Sequence, residues 1–266
     1  MKIYLSADIE GACGTTNWDE VDKVHPDNAA FRDQMTAEVA AACQGALNAG
    51  AREIWVKDAH ASGRNINGSM LPQEVRLIRG WSGHPYSMVQ ELDETFDAVI
   101  FIGYHARAGS EGNPLAHTMS SSKIDYLKIN GRSASEFLLH AYIAAELKVP
   151  TVFLSGDEGI CNEVRDINER IHTVAVKKGI GNSTVSIHPD LAVRRIRDGV
   201  EKALKGDIAG CLLAAPASYL VEIRFKKMTQ AYRASFFPGV QLVDPQTIRL
   251  ESDRYFDIVR MRSFVM

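Results

Sequence analysis

The chain has 266 residues, 45% hydrophobic and 24% charged, with a formal net charge of −3. That is ordinary globular composition, and a balance so close to neutral excludes a broad basic surface for nucleic acid. The least polar stretch, residues 208–220, contains Pro216 and falls short of the roughly 20 residues a membrane span needs; Lys2 comes too early for an export signal, so a cytoplasmic protein with no membrane partner is expected.

In chain order, residues 2–7 read as a strand. Residues 32–48 read as a helix with Met35, Val39, Cys43, Ala46 and Leu47 on one face, stopped by Gly50. Residues 53–57 form the next strand, and the apolar run 98–103 (AVIFIG) suits a strand buried on both faces. Residues 124–129 are a strand closed by the Asn130–Gly131 turn, followed by a helix over 134–147 and a buried strand over 151–154. This alternation predicts an α/β fold, a mostly parallel sheet flanked by helices in a three-layer sandwich.

From about residue 173 the pattern changes. Short strands at 173–176, 219–225 and 247–250 surround helices beginning near Pro189 and Asp253. The expected division is a catalytic domain over 1–172 and a smaller C-terminal α/β subdomain over 173–266, with a continuation of the sheet in one domain as the alternative, since no Gly-, Pro- or Ser-rich linker marks a boundary. Cys13, Cys43, Cys161 and Cys211 are far apart and form no CxxC pair. They read as buried free thiols rather than a zinc knuckle or a disulfide framework.

The chemistry gathers where strands end. Asp8 and Glu10 follow the first strand, and in extended chain residues two apart point the same way. Two carboxylates aimed at one spot repel unless a cation neutralises them. His60 follows the second strand and His105 the apolar third one. Each alone is an ordinary loop residue; together they matter, because ligands of open α/β sheets bind outside the carboxyl ends of the strands. Ser133-Ala134-Ser135-Glu136 fits the S-x-x-E capping box, and on the residues alone that reading of Glu136 is preferred to a ligand role. His117 lies in a loop and reads, by itself, as a surface histidine.

Three carboxylates and two imidazoles suit zinc, with manganese, cobalt and iron as competitors. Five ligands exceed the three or so of one open catalytic zinc; they fit two metals about 3.5–4 Å apart with one carboxylate shared. No P-loop, GxSxG or HExxH motif is present.

The blocks SADIEGACG (6–14), VKDAHASGRN (56–65), FIGYHARAG (101–109), AHTM (116–119), INGRSASE (129–136) and LSGDEG (154–159) together resemble the D-aminopeptidases of the DppA type. The resemblance runs over most of the chain and is densest in residues 1–160. It implies a zinc aminopeptidase with two Zn2+ per subunit. Asp8 would bridge the metals, Glu10 and His105 would complete one site, and His60 and Glu136 the other. His117 would be the catalytic residue, as nucleophile, base or oxyanion stabiliser. It also implies a short-peptide substrate, such as D-Ala-D-Ala, and a homo-oligomeric ring, for which a decamer is the natural candidate. The segment 105–117 departs from the family pattern in composition, is slightly longer, and is expected to line the substrate pocket. The rival readings are a dinuclear amidase or peptidase acting on L-peptides, a metal-dependent phosphoesterase, and a metal-binding protein without turnover.

Overall fold

Every residue of Ala98–Tyr104 and of Thr151–Asp157 is buried. Successive side chains of a strand face opposite ways, so such runs are covered on both faces and belong at the middle of a sheet. The computed structural model, which describes all 266 residues, places them side by side at the centre of a seven-stranded sheet. The elements in order are β1 (Lys2–Ala7), α1 (Trp18–Val21), α2 (Asn28–Asn48), β2 (Glu53–Asp58), β3 (Val75–Ile78), β4 (Ala98–Tyr104), β5 (Ile124–Ile129), β6 (Arg132–Ser133), α3 (Glu136–Glu146), β7 (Thr151–Asp157), α4 (Glu158–Ile167), β8 (His172–Ile180), β9 (Ser183–Ser186), α5 (Pro189–Lys205), β10 (Tyr219–Phe225), α6 (Met228–Ala234), β11 (Gln241–Asp244), β12 (Thr247–Ser252) and α7 (Tyr255–Val265).

The large sheet has the order β3-β2-β1-β4-β7-β8-β9, parallel throughout except for the β8–β9 hairpin. A second, wholly antiparallel sheet has the order β11-β12-β10-β5-β6. The mixed α/β fold with a mostly parallel, helix-flanked sheet is the one the sequence predicts. The 172/173 division does not coincide with the boundary between the sheets. β8 and β9 continue the large sheet, because β8 pairs with β7 along its length, whereas β5 and β6 leave the first half of the chain to pair beside β10. No helix is long and apolar enough to cross a membrane, and all four cysteines are buried and unpaired.

Close backbone packing holds the helices and strand ends in place. A Cβ on Gly45 of α2 would lie 2.3 Å from the Arg197 carbonyl oxygen of α5. Phe101 of β4 meets Phe137 of α3 edge to face, with ring centroids 5.2 Å apart. At the carboxyl ends of β1 and β4 the approach is tighter still: Gly103 has φ +69°, and a Cβ there would sit 2.2 Å from the Asp8 carbonyl oxygen. A Cβ on Gly11 would sit 1.7 Å from the Tyr104 carbonyl oxygen. Only glycine tolerates both demands at Gly103, the left-handed backbone and the absent side chain.

Gly103→Ala is therefore expected to destabilise the protein by about 3 kcal/mol or more. Gly131→Ala, at an open turn with φ +81° and nothing within 4 Å of the added methyl, should cost only about 1 kcal/mol. Thermal or denaturant unfolding of the two variants checks the difference; equal losses would show that the Gly103–Asp8 approach does not constrain the fold.

Candidate metal centre

In the large sheet the chain moves outward from β1 to β2 on one side and then returns to place β4 on the other. The crevice between β1 and β4 is thus a topological switch point, where α/β sheets bind ligands. Asp8 and Glu10 follow β1, His60 follows β2 and His105 follows β4. All four are buried. The Asp8 N–H donates to the Ile102 carbonyl at 2.8 Å and the Gly11 N–H to Gly103 at 2.8 Å, which turns the chain after β1 and aims both carboxylates into the crevice. The Glu10 carbonyl is clamped by Asn113 Nδ2 at 2.8 Å and by the buried Lys177 ammonium at 2.5 Å.

Three histidines are oriented by one device. His60 Nε2 lies 2.9 Å from the Val21 carbonyl, His105 Nδ1 2.9 Å from Ala106, and His117 Nδ1 2.9 Å from Leu115. A carbonyl only accepts, so each of these nitrogens carries a hydrogen and donates it. The other nitrogen of each neutral ring then presents a lone pair. Those free nitrogens all face carboxylates. His60 Nδ1 is 3.3 Å from Asp8 Oδ1 and 3.0 Å from Glu10 Oε2; His105 Nε2 is 3.5 Å from Asp8 Oδ2 and 3.6 Å from Glu136 Oε2; His117 Nε2 is 3.4 Å from Glu136 Oε1. Asp8 thus turns one oxygen to each side. Its neighbours form two groups of donor atoms, Asp8–Glu10–His60 and His105–His117–Glu136, each within 4.8 Å. The nearest contacts therefore group Glu10 with His60 and Glu136 with His105, unlike the division the resemblance implies.

Glu136 corrects the capping-box expectation. Ser133 lies in β6, and the α3 cap is Ser135, whose Oγ accepts from the Leu138 N–H at 3.1 Å. Glu136 is the first helical residue, so its carboxylate is free to point at the histidines and accepts the Met119 N–H at 2.7 Å. Met119 has φ +65°, an unusual backbone for a side chain of that size, and this conformation delivers its N–H to the carboxylate. His117 also differs from a surface histidine: its side chain is 12% exposed and stacks on His105 with centroids 4.4 Å apart.

The electrostatics demand positive charge. Burial, then the Glu10 charge, pushes the Asp8 carboxyl well above its ordinary range. Burial also acts to raise Glu10 and Glu136, but His60 holds Glu10 well below the usual range and His105 holds Glu136 down at about 2. Burial acts to lower both histidines, yet Glu10 and Asp8 raise His60 well above its usual value, and Glu136 raises His105 to about 10. His105 Nε2 is buried without a hydrogen-bond partner, and Glu10 Oε2 has only the His60 ring beside it. Two tetrahedral donors of one zinc, each about 2.0–2.2 Å from it, stand roughly 3.3–3.6 Å apart, close to the 3.0–3.6 Å separations across the cluster. The donor set, its spacing and its orphaned atoms fit divalent cations of the zinc type.

The centre opens into a cleft of about 950 Å3. Trp18 and Trp81 flank it, and Trp18 packs edge to face on His117 at 5.4 Å. Of the 105–117 segment only His117 lines this cleft; residues 108, 109, 114 and 116 line a smaller neighbouring one, because Asn113 ties the loop back to Glu10 and Asp157. Asp157 caps α4 through the Ile160 N–H at 2.8 Å and holds the Ala106 N–H at 2.8 Å. Asp58 organises the His60 loop, accepting the Ile66 N–H at 2.8 Å and Asn65 Nδ2 at 2.9 Å; the ring itself is oriented by Val21. Lys177, Asn113, Val21 and Met119 carry no sequence signal that separates them from ordinary core and loop residues.

A family model described as D-aminopeptidase matches residues 1–264. A curated D-aminopeptidase of Bacillus subtilis (strain 168) is 32% identical over 243 residues, covering 91% of this chain and 88% of that protein. The solved structure of the Zn-dependent D-aminopeptidase DppA from Bacillus subtilis, described as a self-compartmentalizing protease, superposes with a TM-score of 0.93 at 28% identity, covering 100% of this chain and 96% of that one.

The raised histidines give the metal-binding prediction its sign. A group with a raised pKa holds its proton below that pKa, so at about pH 7.5 the metal-free centre carries protons on His60 and His105, and a cation must displace them. Zinc added to metal-free protein should release more than one proton per chain, read by calorimetry in buffers of different ionisation enthalpy. Apparent affinity should fall as pH drops from about 8 to about 6. Zinc uptake without proton release would contradict this account.

Proposed function

The chain belongs to the D-aminopeptidase family, and from that premise we propose that it is a dinuclear zinc aminopeptidase cleaving short peptides with a free N-terminus, with D-residue peptides such as D-Ala-D-Ala as the first substrates. The observation that carries this reading is Asp8, a buried carboxylate with one oxygen turned to His60 and the other to His105. Asp8, Glu10, His60, His105 and Glu136 would hold the metals, with Asp8 shared. A zinc pair bound there would supply a water that ionises near neutral pH and a Lewis acid for the scissile carbonyl.

The chain's own residues do the rest. The carbonyls of Val21 and Ala106 keep His60 and His105 in the ligating tautomer. Trp18 and Trp81 give the cleft two apolar walls against which a substrate side chain can pack. His117 faces the cleft with its Nδ1 hydrogen committed to Leu115. Its Nε2 is therefore the atom that carries a proton to or from the reacting group, or stabilises the developing oxyanion.

The described character of the Bacillus subtilis relative, a self-compartmentalizing protease, supports a homo-oligomer here, and a decameric ring is the form we propose. Met228 and Tyr232 of α6 and Phe236 just after it, with Leu242 and Val243 of β11, are exposed and apolar, a surface suited to burial between copies. The four reduced, buried cysteines suit the cytoplasm.

Elemental analysis of purified protein should give two zinc ions per chain, and His60→Ala should lower that content and abolish hydrolysis. His117→Ala should keep its zinc while kcat falls about 10²- to 10⁴-fold; loss of metal in that variant would make His117 a ligand instead. Paired assays on D- and L-dipeptides decide the stereochemistry, with the D-series expected to be cleaved faster. Full activity of metal-free protein would end the proposal.

A further inference from the structure

Arg262 of α7 is a buried guanidinium, 4% exposed, that makes no direct ion pair; the acid whose charge reaches it is Glu136. Its Nη1 donates to Met119 Sδ and to His140 Nε2, each at 3.3 Å, and its Nη2 to the Pro85 carbonyl at 2.9 Å. All three acceptors are neutral. His140 is kept unprotonated by burial and by Arg262 itself, which push it down to about 3, and its Nδ1 donates to the Glu136 carbonyl at 2.6 Å. A guanidinium has five N–H donors, and these contacts commit three. Buried charges are normally paired, and this arginine, held at contact distance by neutral acceptors only, keeps donors free for an anion.

That arginine helps to line a side chamber of about 470 Å3. No aspartate or glutamate lines the chamber, and its other cation, Lys123, is already engaged with the Met266 backbone oxygen. Trp81, Ser87, Met119 and Ser120 line both this chamber and the main cleft, so the two adjoin. Met119 is the shared wall: its N–H holds Glu136 at 2.7 Å and its sulfur accepts from Arg262 at 3.3 Å. One methionine side chain between those contacts puts the guanidinium within about 11 Å of the Glu136 carboxylate, which is the reach of about three extended residues.

Resting on the reading of the main cleft as a peptidase site, we propose that Arg262 binds the C-terminal carboxylate of the substrate, so that the enzyme selects di- and tripeptides with a free C-terminus. The substrate then spans the two chambers with its amine end at the metal centre and its acid end at Arg262. A charge-assisted pair in a desolvated pocket is among the stronger polar contacts available, and a carboxamide cannot supply it.

The test uses the zinc-loaded enzyme and four peptides: D-Ala-D-Ala, tri-D-alanine and the C-terminal amide of each. The acids should exceed the amides in kcat/KM by about tenfold or more, chiefly through KM. In Arg262→Gln with its zinc content intact, that ratio should collapse toward one. The comparison of acid with amide on the wild-type enzyme stands whether or not the variant folds. Equal kcat/KM for acids and amides overturns the inference and leaves the peptidase reading in place. No turnover of any of the four peptides overturns the peptidase reading, and the inference with it.

Discussion

Three carboxylates, Asp8, Glu10 and Glu136, are buried in one crevice, and their mutual repulsion is the constraint around which the rest of the site is built. In a low-dielectric interior such a group is tolerated only with compensating positive charge. The neighbouring histidines answer that demand in two ways. With protons they become counter-ions; without them they become lone-pair donors beside the same carboxylates. The backbone carbonyls of Val21, Ala106 and Leu115 decide which nitrogen of each ring takes part. Protons and divalent cations thus compete for the same lone pairs.

Holding such a cluster together is the work of the scaffold. The strand ends come closer than side chains would permit, because Gly11 and Gly103 leave room for carbonyl oxygens where a Cβ would otherwise lie. Behind them, polar groups act on more than one segment at once. Asp157 ends β7, caps α4 and fixes the backbone beside His105, while Lys177 of β8 fixes the backbone of Glu10. Changes at these positions should couple strongly with changes at the ligands, since the residues share a hydrogen-bonded network.

Much of this was legible from the sequence, and the parts that were not have physical reasons. The central strands announced themselves because burial on both faces makes them continuously apolar, as AVIFIG does. Asp8, Glu10, His60 and His105 were findable because each directly follows a strand. The strands β3, β9 and β11 were missed: each has four residues, is at most half-buried and lies at a sheet edge, so hydrophobic periodicity is weak there. The division between sheets was hidden because β5, which carries β6 with it, pairs with a strand some ninety residues later, and such long-range pairing leaves no local mark. Glu136 was ambiguous because two serines stand before α3, and pattern alone does not show that Ser135, not Ser133, makes the cap. His117 depended on the family resemblance, since nothing in its own neighbourhood of sequence predicts the stack on His105.

The short helix α1 touches both halves of the centre. Trp18 packs against His117 and the Val21 carbonyl takes the hydrogen of His60. Any swing of this helix that widened the mouth would withdraw the acceptor that aims His60 at the same moment as it uncovered His117. The cover over one histidine and the aim of another thus hang on the same single turn of chain.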